Sequence, residues 1–373
     1  MRVLHLTLSA ARGGRRDAIL TLIDHLRPLG AECGLVALRN PEPEVAEFAD
    51  RADFVGGLSF AARPTRAELS QVRRICRERQ VAVIHAHDHG SQYVASALRL
   101  TNPRVRTVMT FHRSLGIETE GARNFLRNAI SLPLIDRVLT ASDDRRKYFI
   151  ANTLVRKSKV AVIPIGIDLT HFRPDPGVRH RLRESLGIGD EPLALIIGHF
   201  GPEKGVDLAL QAATAAEGFL GNSPWNVAVL GTGAPDRTAA LEEQARATLG
   251  TRVRFHGFQS NVVPWLQGAD LLIHTPRLEA FGLVVVQAMA CGLPVVASSV
   301  GAMPELIDHG RTGILVPPDD IERLGREVAR LVRDGDERRR LGERGFARAM
   351  QFYDARHYAR RHVALYRALV PDH

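Results

Sequence analysis

Short apolar runs alternate with longer amphipathic stretches along most of the chain. Val3–Leu8, Cys33–Leu38, Val81–His85, Arg106–Thr110, Arg137–Thr140 and Val160–Pro164 read as strands. Arg15–Leu29 and Arg66–Arg79, lying between them, carry the wider spacing of amphipathic helices. Strand–helix alternation of this kind predicts a parallel sheet covered on both faces. A zone rich in Pro, Gly and Asp follows, "GIDLTHFRPDPGVRHRLRESLGIGDEP", and reads as loop. The pattern then restarts. "LALIIGHF", "WNVAVLGTG", "VRFHGF", "ADLLIHTP", "LPVVAS" and "GILVP" read as strands, and "VDLALQAATAAEG" as a helix. The sequence therefore predicts two doubly wound α/β domains joined near Arg173–Pro192, residues 1–175 and 176–354. A last helix, about Ala355–Leu369, has no strand after it and is expected to cross back onto the first domain.

Composition narrows this picture only slightly. A chain of 373 residues exceeds what one hydrophobic core usually serves. Its net charge of +9 suits nucleic acid, an anionic membrane surface or a phosphate-bearing ligand. With 6% aromatic residues and no basic stretch interleaved with aromatics, base stacking has little to work with, so nucleic acid is not expected. Cys33, Cys76 and Cys291 are scattered, without CxxC spacing, as in reduced cytoplasmic thiols. "MRVLHLTLSAARGG" has too short an apolar core for a signal peptide, and no window approaches the length of a membrane span. The basic stretches Arg145–Lys147 and Arg156–Lys159 leave peripheral contact with anionic lipid open, beside the plainer reading of a solvated basic face.

Ligands of doubly wound sheets bind beyond the carboxyl ends of the strands, so polar residues just after strands carry the chemistry. "GHFGPEKGVD" ends a strand and opens a helix, offering His199 and Lys204 beside free backbone N–H groups, a natural anion site. "SAARGGRRD" offers Gly13 and Gly14 in the same position after the first strand. In "RLEAFGLVVVQAMACG" a helix should begin near Phe281–Gly282 and stop at Cys291–Gly292, with Glu279 just before it. Gln287, on its second turn, stands as a polar residue within an apolar stretch. His112, in "VMTFHRS", follows a strand and is a candidate contact or proton-handling group. "HAHDH" puts His85, His87 and His89 at period two, on one face of a strand. Zinc wants three or four ligands in a tight shell, which one strand end rarely supplies, so no metal site is assigned.

Taken together these segments resemble glycosyltransferase family 4, the retaining GT-B glycosyltransferases of group 1 type. "VIPIGIDLTHFRP" resembles its domain-linking stretch, "GHFGPEKGVD" its G-R-x-x-x-x-K-G loop, and "LEAFGLVVVQAMACGLPVVAS" its E-x-F-G-x-x-x-x-E element. The resemblance implies two Rossmann-like domains facing a central cleft, with the donor held by the second. It implies that Gly13 and Gly14 backbone and Lys204 bind the donor diphosphate, with His199 where the family has a phosphate-binding Arg. It implies that Glu279 holds sugar hydroxyls beside the backbone of Phe281, Gly282 and Leu283, that Gln287 stands where the family's second Glu holds the ribose, and that His112 lies near the reacting carbon. Glu279, His112 and Lys204 are the expected catalytic residues. Three positions depart from the pattern: His199 for Arg, Gln287 for Glu, and Ile165 for Asn.

The implied activity is transfer of a hexose-type sugar, with retention, from a nucleotide-diphosphate donor, UDP favoured over GDP, to an acceptor hydroxyl that the sequence does not identify. No metal or other cofactor is expected, because no DxD-type motif is evident. Localisation is expected to be cytoplasmic. Two rival readings stay open: a UDP-sugar epimerase of the same fold, and a non-catalytic nucleotide-sugar-binding relative.

Overall fold

The computed structural model describes residues 1–11, 13–39, 45, 48–60, 65–112 and 128–370. They fall into two compact units, one formed by Met1–Gly166 with Ala355–His373, the other by Ile167–Asp354. The division thus comes at Gly166, ahead of the 175/176 boundary expected from the sequence.

The first unit holds seven strands: β1 (Arg2–Thr7), β2 (Glu32–Ala37), β3 (Phe54–Gly57), β4 (Val83–Ala86), β5 (Arg106–Phe111), β6 (Arg137–Thr140) and β7 (Val160–Val162). Their order is β3-β2-β1-β4-β5-β6-β7, all parallel. Strands buried on both faces read as continuous apolar runs, which is why most of them were legible. β3 was not: "FVGG" is an edge strand with two glycines and only half-buried side chains. β4 starts two positions later than expected, because Val81 N–H still bonds back to Cys76 O and closes the preceding helix. The closing helix, Ala355–Leu369, packs Tyr358, Ala359, Val363 and Tyr366 against Ile19, Leu22, Ile23 and Leu26 of the helix Gly14–Leu26.

The second unit holds β8 (Leu193–Ile197), β9 (Asn226–Leu230), β10 (Val253–Phe255), β11 (Leu271–His274), β12 (Val295–Ser298) and β13 (Ile314–Val316), ordered β10-β9-β8-β11-β12-β13 and again all parallel. The stretch expected as loop before β8 contains a helix, Pro176–Leu186. Asp175 caps its first turn, Pro176 takes the position where a missing N–H costs nothing, and Gly187 ends it in a left-handed conformation. Its Arg183 is buried and satisfied by Gly189 O, Glu191 O, Gly268 O and the Asp270 carboxylate. A buried guanidinium needs such a full set of acceptors, so Arg183 locks this helix to the sheet rather than leaving it a linker.

The strand order reverses once in each sheet, between β1 and β4 in the first unit and between β8 and β11 in the second. Ligands of doubly wound sheets bind outside the carboxyl ends of the strands at such a point.

Candidate functional site

In the second unit the loops after β8 and β11 are tied to one another. Arg277 N–H and Leu278 N–H both donate to Glu203 O, at 2.9 and 3.2 Å. Thr275 Oγ1 donates to Gly205 O at 2.8 Å. The Arg277 guanidinium grips the Asp207 carboxylate with two bonds of 2.9 and 2.8 Å. Gly205 has a φ of +61° and its missing Cβ would fall 1.8 Å from Thr275 O, so no other residue fits where the loops cross.

This scaffold brings Lys204 onto Glu279, Nζ to Oε2 at 2.8 Å, across 75 positions of sequence. Oε1 of the same carboxylate accepts from Ala280 N–H at 3.1 Å and, more loosely, from Phe281 N–H at 3.5 Å. His274 Nε2 lies 3.5 Å from Oε2, an electrostatic neighbour rather than a formed hydrogen bond. Burial alone would raise the Glu279 pKa, but His274 and Lys204 outweigh it and hold the group down at about 2. The carboxylate is therefore an anion at neutral pH, buried, with one partly exposed ammonium as its partner.

The helix Leu283–Ala290 starts directly behind it. Gly282 takes a φ of +94°, and a Cβ there would meet Met303 Cε at 2.3 Å. Phe281 is buried against Tyr353. Leu283 and Gln287, one helical turn apart, share the half-buried side of this helix with Val284. Gln287 is thus not the polar intruder in a packed face that the sequence suggested: it stands on the open side, leaning back toward the helix start. His199 is exposed, and its Nδ1 accepts from Gly201 N–H at 3.0 Å. In the neutral ring that leaves Nε2–H as an outward donor.

In the first unit Gly13 precedes the helix Gly14–Leu26 with a φ of +144°, and nothing lies near its missing Cβ. Asp88, which the sequence reading passed over inside "HAHDH", braces this loop. Its carboxylate takes Leu8 N–H at 2.6 Å, Thr7 Oγ1 at 2.8 Å and Ser91 N–H at 2.9 Å, with Arg15 3.7 Å away. His112, after β5, is half-buried and meets His87, Nε2 to Nδ1, at 3.2 Å. Burial and the nearby Arg15 charge push its pKa down to about 3, so the ring is neutral at physiological pH.

The expected alignment of His85, His87 and His89 does not occur. His89 opens the helix His89–Thr101 and turns its edge to Phe111. His5, paired in register with His85, takes its place. Nitrogens of His5, His85 and His87 lie within 4.8 Å of one another, a spacing a divalent ion can use. Here they are already engaged: His85 sits between Tyr366 Oη at 2.6 Å and Thr110 Oγ1 at 2.7 Å, and His5 bonds His87 at 3.0 Å.

Of the residues the sequence reading named, the structure sets Lys204, Glu279, His199, Phe281, Gly282, Leu283 and Gln287 at the loops and helix start of the second unit, and Gly13, Gly14 and His112 in the first. The sequence reading missed Asp207, His274, Thr275, Arg277 and Asp88, the groups that hold them. The first basic stretch is partly neutralised at home, Arg145 pairing with Asp144 and Arg146 and Lys147 with Asp143; in the second, Lys159 donates to Pro133 O and Ile135 O. Among the described residues no helix is long and apolar enough to cross a membrane.

Known proteins match this arrangement along the chain. The family model "Glycosyl transferases group 1" matches residues 178–348, and "Glycosyltransferase Family 4" matches 12–171. A D-inositol 3-phosphate glycosyltransferase of Mycobacterium avium (strain 104) is 32% identical over 201 residues, 53% of this chain and 46% of the relative. The lipopolysaccharide core biosynthesis mannosyltransferase LpsB of Rhizobium meliloti (strain 1021) is 32% identical over 219 residues, 56% of this chain and 61% of the relative. The chain thus spans about half the length of the curated relatives it matches. In structure it is similar to Anabaena HepE in complex with UDP and glucose, at a TM-score of 0.85 and 23% identity over 99% of this chain and 100% of that one. It is also similar to the sucrose-phosphate synthase of Thermosynechococcus elongatus, at 0.82 and 23% over 99% of each chain. With two parallel-sheet units, a GT-B fold and both family models matched, the chain belongs to glycosyltransferase family 4.

Proposed function

We propose that this protein is a retaining glycosyltransferase that moves a hexose-type sugar from a nucleotide-diphosphate donor to an acceptor hydroxyl, with UDP favoured as the nucleotide. The observation that carries this reading is the Lys204–Glu279 pair where the strand order of the second sheet reverses, directly before the helix Leu283–Ala290, whose start has no side-chain cap. A UDP donor is favoured because HepE is described in complex with UDP and with UDP-glucose.

In the reaction the bond between the anomeric carbon and the β-phosphate oxygen breaks, and its electron pair leaves with the diphosphate. A bond from the same carbon to the acceptor oxygen forms on the same face, and the acceptor proton passes to the leaving phosphate. Charge grows on that phosphate, so catalysis rests on donors already aimed at it. Lys204 supplies a full positive charge and His199 Nε2–H a neutral donor; the family resemblance assigns the Gly13–Gly14 amides a diphosphate-binding role. When the ammonium turns to phosphate, Glu279 keeps its two backbone amides and is free to accept sugar hydroxyls. Phe281, Gly282 and Leu283 present backbone beside it, Gln287 is assigned to the ribose and His112 to the sugar. No step needs a metal ion.

The test is release of UDP or GDP from UDP-glucose, UDP-galactose, UDP-N-acetylglucosamine and GDP-mannose against a panel of sugar, inositol and lipid-linked acceptors. Lys204→Ala and Glu279→Ala should each lower transfer by at least about 10²-fold, the scale of losing one charge-stabilising group, with circular dichroism unchanged. Interconversion of a UDP-sugar without acceptor would support an epimerase instead. Binding without nucleotide release from any donor would overturn catalysis, and full turnover by either variant would remove that residue from the mechanism.

A further inference from the structure

Behind His112 the first unit contains two residues that the transfer reaction leaves without a role, joined to it in a chain of three imidazoles running inward. His112 Nε2 lies 3.2 Å from His87 Nδ1, and His87 Nε2 lies 3.0 Å from His5 Nδ1. His5 and His87 are buried, His5 completely, and His5 Nε2 ends the chain with no partner. Adjacent rings are near-parallel, at 29° and 22°.

A neutral imidazole has one N–H and one lone pair. Each nitrogen–nitrogen contact needs one proton, since two would clash and none would set lone pairs against each other. With three rings linked Nε2 to Nδ1 throughout, only two arrangements satisfy both contacts. Either every ring carries its proton on Nε2, or every ring carries it on Nδ1. In the first, His112 offers a lone pair at its outward Nδ1. In the second it offers an N–H there. We infer that His5 and His87 are positioning residues whose shared tautomer decides whether His112 meets its ligand as a hydrogen-bond acceptor or as a donor. This assignment of the ligand-facing role rests on the proposed transferase reading, in which His112 faces the sugar.

The chain is suited to setting polarity and not to carrying away an excess proton. Burial, with His362 nearby, pushes His5 down to about 3, so roughly one molecule in 10⁴ would hold a charged His5 at pH 7. His87 is also driven well below its ordinary value by burial and by the surrounding histidines. The rings therefore stay neutral, the condition under which one proton per contact holds. The next ring across, His85, is fixed separately by Tyr366 and Thr110. His362 donates from Nδ1 to Tyr358 O at 2.9 Å and stands outside the chain.

The experiment is imidazole ¹⁵N NMR on the full-length protein at pH 7.5, without nucleotide, using long-range ¹H–¹⁵N correlations to read each ring's tautomer. His5, His87 and His112 should share one tautomer in the wild type; mixed tautomers within the three would overturn the inference. In His5→Phe, which removes a ring sharing no hydrogen bond with His112, the ¹⁵N shifts of His112 should move toward those of an unconstrained imidazole. Unchanged His112 shifts in a folded His5→Phe would equally overturn it. Should that variant fail to fold, the wild-type spectrum decides alone. In the transfer assay His5→Phe should lower kcat about 10-fold and change KM for donor less than twofold, whereas a merely structural defect would lower the active fraction without moving the His112 tautomer. The spectrum needs no sugar donor, so lack of transfer activity would count against the proposed function and leave the tautomer result readable.

Discussion

The two units use the same strand logic and opposite electrostatics. Each places candidate groups in the loops after the two strands where its strand order reverses, β1 and β4 in one, β8 and β11 in the other. In the second unit those loops carry a buried carboxylate answered by an ammonium, backed by the Arg277–Asp207 pair. In the first, β1 and β4 themselves and the residues just after β4 and β5 carry imidazoles answered by one another and by hydroxyls. A buried charge is tolerable only when paired, and a buried imidazole only when uncharged. The Lys204–Glu279 pair is therefore built to hold charge through acid, and the histidine cluster of the first unit is built to exclude it.

Acid should separate them, and this is the largest stability effect expected. His5 and His112 titrate in the folded protein at about 3, and His362 at about 4, against 6.5 when unfolded. Between those values the unfolded chain binds more protons, so stability is complete above pH 6.5 and falls as pH drops toward 3. Each such ring costs about 1.4 kcal/mol by pH 5.5, and the cluster several kcal/mol. Glu279 behaves with a lower window: its folded value of about 2 against 4.5 gives stability that is present above pH 4.5 and lost only below it. Trp225 and Trp265 are the two tryptophans and both lie in the second unit. Far-UV circular dichroism should therefore begin to fall between pH 6 and 5 while tryptophan emission holds. Simultaneous loss of both signals would show that the histidine cluster does not set the acid limit.

The same contrast appears in the glycines, at the next level of effect. Gly205→Ala meets two obstacles, a φ of +61° and a Cβ 1.8 Å from Thr275 O. Moving backbone against backbone should cost about 3 kcal/mol or more and displace Lys204, so thermal stability and transfer should fall together. Gly13→Ala faces only its φ of +144°, with open space around the new methyl. About 1–2 kcal/mol of local strain is expected, taken up by the loop, with Tm nearly unchanged. A Gly205→Ala protein as stable as wild type would mean that the crossing of the β8 and β11 loops is looser than its hydrogen bonds imply.

The sequence exposed what is periodic or local, and hid what is distant. Apolar runs located twelve of the strands, and the polar residues just after them put Lys204, Glu279 and His112 forward as candidates. β3 escaped because an edge strand with two glycines has no periodic signature. The helix Pro176–Leu186 was masked by the same Pro, Gly and Asp residues that cap it. The braces escaped for another reason. Asp88 reaches Leu8 across 80 positions, Arg277 reaches Asp207 across 70, and His5 reaches His87 across 82. Nothing in local spacing marks such pairs, and only the parallel register of β1 with β4 sets His5 beside His85 and its neighbours.

The smallest effect concerns Gln287, where the second unit carries a neutral amide and the family resemblance expects a carboxylate. The side chain stands on the half-buried side of the helix Leu283–Ala290, one turn behind Leu283, so a carboxylate there would remain partly solvated. A charged acceptor makes a hydrogen bond roughly twice as strong as a neutral one, a difference of about 1 kcal/mol for a ribose hydroxyl. Gln287→Glu should therefore tighten UDP binding about fivefold and leave kcat nearly unchanged, because the ribose lies away from the bond that breaks. Titration calorimetry with UDP, alone and beside Glu279→Gln, reads this directly. If Gln287→Glu weakened UDP instead, repulsion from the diphosphate or from Glu279 would outweigh the ribose bond. The neutral amide would then be the residue that lets this helix start hold an anion with a buried carboxylate already beside it.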